Sequence, residues 1–193
     1  MASDTRIGDV EVFDRVARLY DLKPATRRRK LEPALALADR DIGRVLDVGG
    51  GTGQGVRSLD LPDGVVVDAA AEMLARAREH DVEGARGDAA RLPVADESVD
   101  AVLILDALHH MARPDAVIEE AARVLRPGGV LASLEFDPTT VRGRALAAAE
   151  HLFGFDSRFF TAADLAAKVR AAGLSASIPR GGFEYTVAGV KRS

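Results

Sequence analysis

Between Val45 and Gly55 the chain reads VLDVGGGTGQG, an apolar run carrying one acid, followed by five glycines in seven positions. Glycine at a strand-to-helix turn permits positive φ and lets the backbone approach a ligand closely, at an entropic cost an ordinary loop would avoid. The segment therefore reads as a buried strand that turns into a helix around a nucleotide-like ligand. A dinucleotide fingerprint needs glycines at relative positions one, three and six. Gly49 and Gly51 are followed by Gln54, and the frame from Gly51 and Gly53 ends on Val56, so both frames fail. What remains is Asp47-x-Gly49-x-Gly51-x-Gly53, which argues against a nicotinamide dehydrogenase.

From about residue 44 onward, apolar strand-like runs alternate with segments of helical periodicity, the pattern of a parallel sheet covered on both faces. Strands are expected at Arg44 to Val48, Val65 to Asp68, Glu83 to Gly87, Val99 to Asp106 and Val130 to Phe136. Helices are expected at Ala70 to His80 and Pro114 to Leu125, the latter stopped by Pro127-Gly128-Gly129. Thr161 caps a last helix that ends at Gly173. Leu174 to Ile178 and Phe183 to Val190 are joined by only four residues, so they form an antiparallel hairpin. Upstream, Glu11 to Tyr20 and Pro24 to Arg40 read as two helices covering one mouth of the sheet. The fold class is α/β, a three-layer Rossmann-like sandwich whose mostly parallel, seven-stranded sheet closes with an antiparallel C-terminal hairpin. At 193 residues there is room for one domain over 1–193. Its parts are N-terminal helices (1–40), a ligand-binding core (44–137), a lid (138–160), and the last helix with the hairpin (161–193).

The glycine motif resembles motif I of the class I S-adenosylmethionine-dependent methyltransferases, in which an acid ends the first strand and the glycines pass under methionine and ribose. Further segments follow in that family's order. Asp68-Ala69-Ala70-Ala71-Glu72-Met73-Leu74 is similar to its D-x-S-x-x-M-L, with alanine in place of the capping serine. Gly87-Asp88-Ala89, Asp96 to Asp106 and Arg123 to Pro138 match its next loop, fourth strand and fifth-strand lead. The resemblance implies S-adenosyl-L-methionine as cofactor. It implies Asp47, Gly49, Gly51 and Gly53 around the methionine and ribose, and Asp68 with Ala69 at the ribose hydroxyls. A carboxylate suits a vicinal diol because each oxygen can take one donor. Asp88 and Ala89 would meet the adenine edge, Met73 its face, and Asp106 the methionine amino group. A lone loop aspartate more often caps a turn; the ordered series of motifs reverses that reading. Val12 to Leu22, VFDRVARLYDL, and Leu134-Glu135-Phe136 resemble the ubiquinone and menaquinone C-methyltransferase branch, which implies that Tyr20 folds over the methionine end.

Methyl transfer is an in-line displacement, so the protein mainly aligns and dehydrates its reactants. A phenol, alcohol or activated ring carbon also needs a proton acceptor, and histidine serves near pH 7. His110 and His109 follow the fourth strand at the expected acceptor mouth and are the catalytic candidates. The stretch Thr139 to Phe160, rich in phenylalanine, is the expected acceptor lid. Absence of the N/D-P-P-aromatic motif sets DNA amino-methyltransferases aside. With no cysteines, arsenite methyltransferases, thiolate metal sites and disulfides go too. No acidic spacing suggests a metal.

A net charge of −4 and a pI near 5.6 argue against a nucleic-acid partner. Arg27-Arg28-Arg29-Lys30 is the one basic cluster and spreads around a helix as a solvated face. No stretch approaches the roughly 18 apolar residues of a membrane span, and the first fourteen residues lack a signal-peptide apolar run, so a cytoplasmic location is expected. The function read from the sequence is methyl transfer to a small organic acceptor, with a quinone-precursor-like ring as the specific expectation. A noncatalytic cofactor-binding or regulatory subunit is the alternative. A homodimer is compatible with this size, though no segment marks an interface.

Overall fold

A computed structural model describes residues 9–20, 27–59 and 63–192. The elements run α1 (Val10–Tyr20), α2 (Arg28–Leu35), β1 (Arg44–Val48), α3 (Gln54–Leu59), β2 (Asp63–Asp68), α4 (Ala71–Glu79), β3 (Glu83–Arg86) and β4 (Val99–Leu105). A short 3-10 helix (Leu108–His110) precedes α5 (Pro114–Val124), β5 (Leu125–Phe136), α6 (Val141–Leu152), α7 (Ala162–Ala171), β6 (Ser175–Arg180) and β7 (Glu184–Val190). One seven-stranded sheet has the order β3-β2-β1-β4-β5-β7-β6. The first five strands are parallel, and β7 lies antiparallel between β5 and β6. The expected Rossmann-like sheet with a reversed C-terminal hairpin is therefore present. Every residue of β4 is buried, as a central strand covered on both faces requires.

The structure departs from the sequence reading at three places. Helix α5 passes straight into β5, and Pro127-Gly128-Gly129 lies inside that strand instead of before it. The insertion is absorbed by a register shift against β4 between Val99 and Ala101, with Gly128 at φ +79. Helix α2 is far shorter than Pro24 to Arg40, although residues 24–26 lie outside the described ones. Residues 138–160 contain a twelve-residue helix, α6, capped by Thr140 Oγ1 accepting from Gly143 N–H.

The alanine at the expected capping position of α4 is compensated from afar. Ala70 is the N-cap and offers no side-chain hydrogen bond, but Asp14 of α1 accepts from Glu72 N–H at 3.0 Å. At the opposite end of the sheet from the glycine loop, Asp100 accepts from Gly43 N–H at 3.2 Å and Arg44 N–H at 2.8 Å, and pairs with Arg40 and Arg126. Burial would raise its carboxyl, but the amides and Arg126 hold it below the usual range. Its stabilisation is thus present above the unfolded carboxylate pKa and lost as pH falls through the depressed value. Asp100→Ala should cost about 3 kcal/mol in urea unfolding at neutral pH, because it strands two amides at the root of β1.

Candidate functional site

The strand order places a crevice at the carboxyl ends of β1 and β4, where the direction of winding reverses and open α/β sheets bind ligands. The acids expected from the sequence stand across this edge in strand order: Asp88 after β3, Asp68 ending β2, Asp47 in β1 and Asp106 after β4. All four line one cavity. Three inter-strand steps of about 4.8 Å separate the outer two strands, so an occupant can extend ~14 Å. The cavity opens to solvent at the carboxyl edge of the sheet and is lined by both polar and apolar side chains.

The floor is the loop between β1 and α3. Gly49, Gly51 and Gly53 have φ of +67, +57 and +78, which explains glycine at alternate positions. Gly49 and Gly51 face the cavity. Gly53 is not on the cavity wall, and a Cβ there would meet the Val82 side chain at 2.9 Å, so it packs closely beneath the loop. Gly50 and Gly55 are needed instead for Asp47, whose carboxylate lies where their Cβ atoms would be. Asp47 is fully buried in the cavity wall, and burial, opposed by the charge of Arg27, pushes its carboxyl up to about 7.

Asp68 is held like a bracket. Its Oδ2 accepts from Gly51 N–H at 2.9 Å and its Oδ1 from Ala70 N–H at 2.8 Å, so the β2 terminus and the glycine loop share one carboxylate. Burial still raises this carboxyl above its ordinary value, despite the amides. Each oxygen keeps capacity for another donor, which fits a vicinal diol. Ala69 lines the same wall, and Met73 is buried beneath it against Ala17 and Ala70. At the β3 end, Asp88 accepts from Ala90 N–H at 2.9 Å and pairs with Arg113 at 2.5 Å, next to Ala89.

The β4 end carries a residue the sequence reading missed. Asp106 turns out of the strand at φ +56, and its Oδ2 lies 3.3 Å from Arg27 Nη2, both side chains being largely buried on the cavity wall. Arg27 is thus a site residue, a correction to its reading as part of a solvated face. A paired carboxylate and guanidinium can receive the ammonium and carboxylate of an α-amino acid. The side chain of Tyr20, expected over this end, lies outside the described residues.

The two histidines part company. His110 lines the cavity, where its ring meets Phe13 and Phe155 at centroid distances of 4.8 and 4.9 Å. Its Nδ1 lies 2.9 Å from Asp9 Oδ2 and 3.2 Å from Ser157 Oγ. His109 turns the other way, contrary to its expected catalytic placement. Its side chain is fully buried and stacked on Phe159 at 4.5 Å, and its Nδ1 is held by Glu135, which also accepts from Leu108 N–H at 2.9 Å. Burial opposes its charge, but Glu135, Glu150 and Asp106 outweigh that and raise the imidazole to about 10. With its ring off the cavity wall and its Nδ1 engaged by Glu135, His109 is not placed to take a proton from an occupant of the cavity. His109, His110 and Glu150 bring donor atoms within 4.8 Å of one another, a grouping able to hold a metal. Nδ1 of each histidine is engaged by a carboxylate.

The crevice can therefore receive a nucleoside at Asp88 and Asp68, an amino-acid arm at Arg27 and Asp106, and a planar group beside His110. A protein-family model described as "Methyltransferase domain" matches residues 46–133. A demethylmenaquinone methyltransferase of Mycobacterium sp. (strain KMS) is 40% identical over 151 residues, covering 73% of this chain and 65% of that protein. The chain thus spans just under two thirds of the length of such relatives. Among solved structures, a methyltransferase of Thermotoga maritima described as a possible histamine N-methyltransferase has a TM-score of 0.78 at 24% identity, covering 95% of this chain and 99% of that one. An O-methyltransferase from neocarzinostatin biosynthesis, solved with S-adenosyl-L-homocysteine and 1,4-dihydroxy-2-naphthoic acid, has a TM-score of 0.71 at 20% identity, covering 93% of this chain and 57% of that one.

Proposed function

The chain belongs to the class I S-adenosylmethionine-dependent methyltransferases, and we propose that it transfers a methyl group to a small, hydroxylated, planar organic acceptor. The observation that carries this reading is the single cavity in which a bracketed Asp68 lies between an acid at the β3 end and the Arg27–Asp106 pair at the β4 end. That order fits adenosine followed by a zwitterionic arm. S-adenosylmethionine, bound there, supplies a methyl group on a positively charged sulfur. Asp68 accepts from the ribose hydroxyls beside Ala69, Asp88 and Ala89 meet the adenine edge, and Met73 supports the floor beneath the glycine loop. Arg27 and Asp106 hold the methionine carboxylate and amino groups.

His110, with Phe13 and Phe155, forms the acceptor end, where His110 takes the acceptor's proton. A quinone-precursor-like ring is the specific acceptor we favour. The relatives are named for demethylmenaquinone methylation, and the O-methyltransferase neighbour was solved with a dihydroxynaphthoic acid. In this reading 1–193 is one domain, residues 138–160 form its acceptor lid, and a cysteine-free chain suits a reducing, cytoplasmic setting. No described helix is long and apolar enough to cross a membrane.

Calorimetric titration tests the reading. S-adenosylhomocysteine should bind saturably and NAD should not; failure of S-adenosylhomocysteine to bind overturns it. Arg27→Ala should weaken S-adenosylhomocysteine at least tenfold, the value of one charge-assisted hydrogen bond. The same variant should leave methylthioadenosine, which lacks the amino-acid arm, within twofold of wild type. Equal losses for both ligands would move Arg27 away from the arm.

A further inference from the structure

We propose that Asp9 is a positioning residue that fixes His110 in the Nδ1–H tautomer, leaving Nε2 as the bare nitrogen that takes the acceptor's proton. The inference rests on the methyl-transfer reading above for its chemistry, but its geometry stands alone.

The tautomer follows from what surrounds Nδ1. Asp9 Oδ2 lies 2.9 Å away, and the carboxylate is almost wholly buried. Burial would favour the neutral acid, but His110 and the Asp156 amide hold this carboxyl below its ordinary range, so it is an acceptor. The second neighbour, Ser157 Oγ at 3.2 Å, has its proton directed to Glu150 Oε2 at 2.5 Å and offers Nδ1 a lone pair. Two acceptors flank one ring nitrogen, so that nitrogen carries the hydrogen. Nε2 has no hydrogen-bond partner among the described residues, and the ring lines the cavity.

Asp9 is itself locked. Its Oδ1 accepts from Asp156 N–H at 3.0 Å, and its backbone carbonyl accepts from Val12 and Phe13 at the start of α1. One residue thereby ties the first helix, the lid segment 155–158 and the histidine. Phe13 and Phe155, brought together at 5.3 Å by the same joint, flank the ring as an aromatic wall. This suits a hydroxylated aromatic acceptor. In the transfer, the acceptor's electron pair forms the new bond to the methyl carbon, and the carbon–sulfur pair stays on sulfur, which loses its charge. The acceptor's proton passes to His110 Nε2, where Asp9 balances the imidazolium until solvent removes the proton.

Nitrogen-15 spectra of the full chain, labelled at histidine and recorded where the His110 ring is neutral, test this directly. His110, identified by loss of its signals in His110→Gln, should show a protonated Nδ1 and a bare Nε2, with the reverse tautomer at least tenfold rarer. Asp9→Leu should raise the reverse tautomer to a comparable population, and Asp9→Glu should restore the preference. A wild-type His110 protonated at Nε2 overturns the proposal whatever the variants do, as does an unchanged tautomer in folded Asp9→Leu. Adding S-adenosylhomocysteine to the same samples separates the two claims. Failure of the ligand to bind overturns the methyltransferase reading while leaving the tautomer assignment standing.

Discussion

Asp68→Ala should weaken S-adenosylhomocysteine binding at least a hundredfold, the largest ligand-affinity loss expected of any single change here. Two charge-assisted hydrogen bonds to a ribose diol, at about 1.5 kcal/mol each, already account for that factor. The carboxylate also receives the amides of Gly51 and Ala70, so its removal loosens the glycine loop beneath the ligand. Asp68→Asn keeps an acceptor in place and should lose less, which separates charge from shape. Calorimetry measures the affinities, and thermal melting shows whether each variant is folded. A folded Asp68→Ala protein with wild-type affinity would refute the ribose assignment.

Asp68 was legible because its signal is local. A strand ends, an acid follows a fixed distance after the glycine loop, and the sheet topology then brings strand ends together. The same logic recovered Asp88 and Asp106 and the bounds of β1. What the sequence hid depends on distant partners. Arg27 meets an aspartate 79 positions away, and Asp9 meets a histidine 101 positions away. Neither pairing leaves a periodic trace, and Arg27 was masked by three basic neighbours that suggested a solvated face. His109 and His110 are adjacent and chemically identical, so only the 3-10 turn and the position of Glu135 decide which faces the cavity. Gly53 belongs to the motif by spacing, yet it packs on Val82 and lies off the cavity wall, which no spacing reveals. Helix α6 escaped notice because its sole buried residue is Gly143, leaving no apolar stripe for periodicity to detect.

The pair that removed His109 from catalysis should dominate stability. Glu135→Gln is expected to cost about 3–5 kcal/mol, because it leaves an imidazole buried without its charged partner. Against a total of about 5–15 kcal/mol for a typical domain, that is a large share. The pH dependence identifies the cause. His109 is raised from 6.5 to about 10 in the folded chain, so its contribution is fully present below pH 6.5 and is lost as pH rises through 10. Asp47 acts in the same direction at lower pH. With its carboxyl raised from 3.8 to about 7, the preference for the neutral acid is fully present below 3.8 and lost as pH rises through 7. Denaturant unfolding between pH 5 and 10 should therefore show stability falling in two overlapping limbs. Glu135→Gln should flatten the upper limb and leave the lower, while Asp47→Asn should flatten the lower and leave the upper. An upper limb of unchanged slope in Glu135→Gln would mean that His109 is not held as a buried cation. The exclusion of His109 from proton transfer would then rest on geometry alone, since its ring lies off the cavity wall, stacked on Phe159.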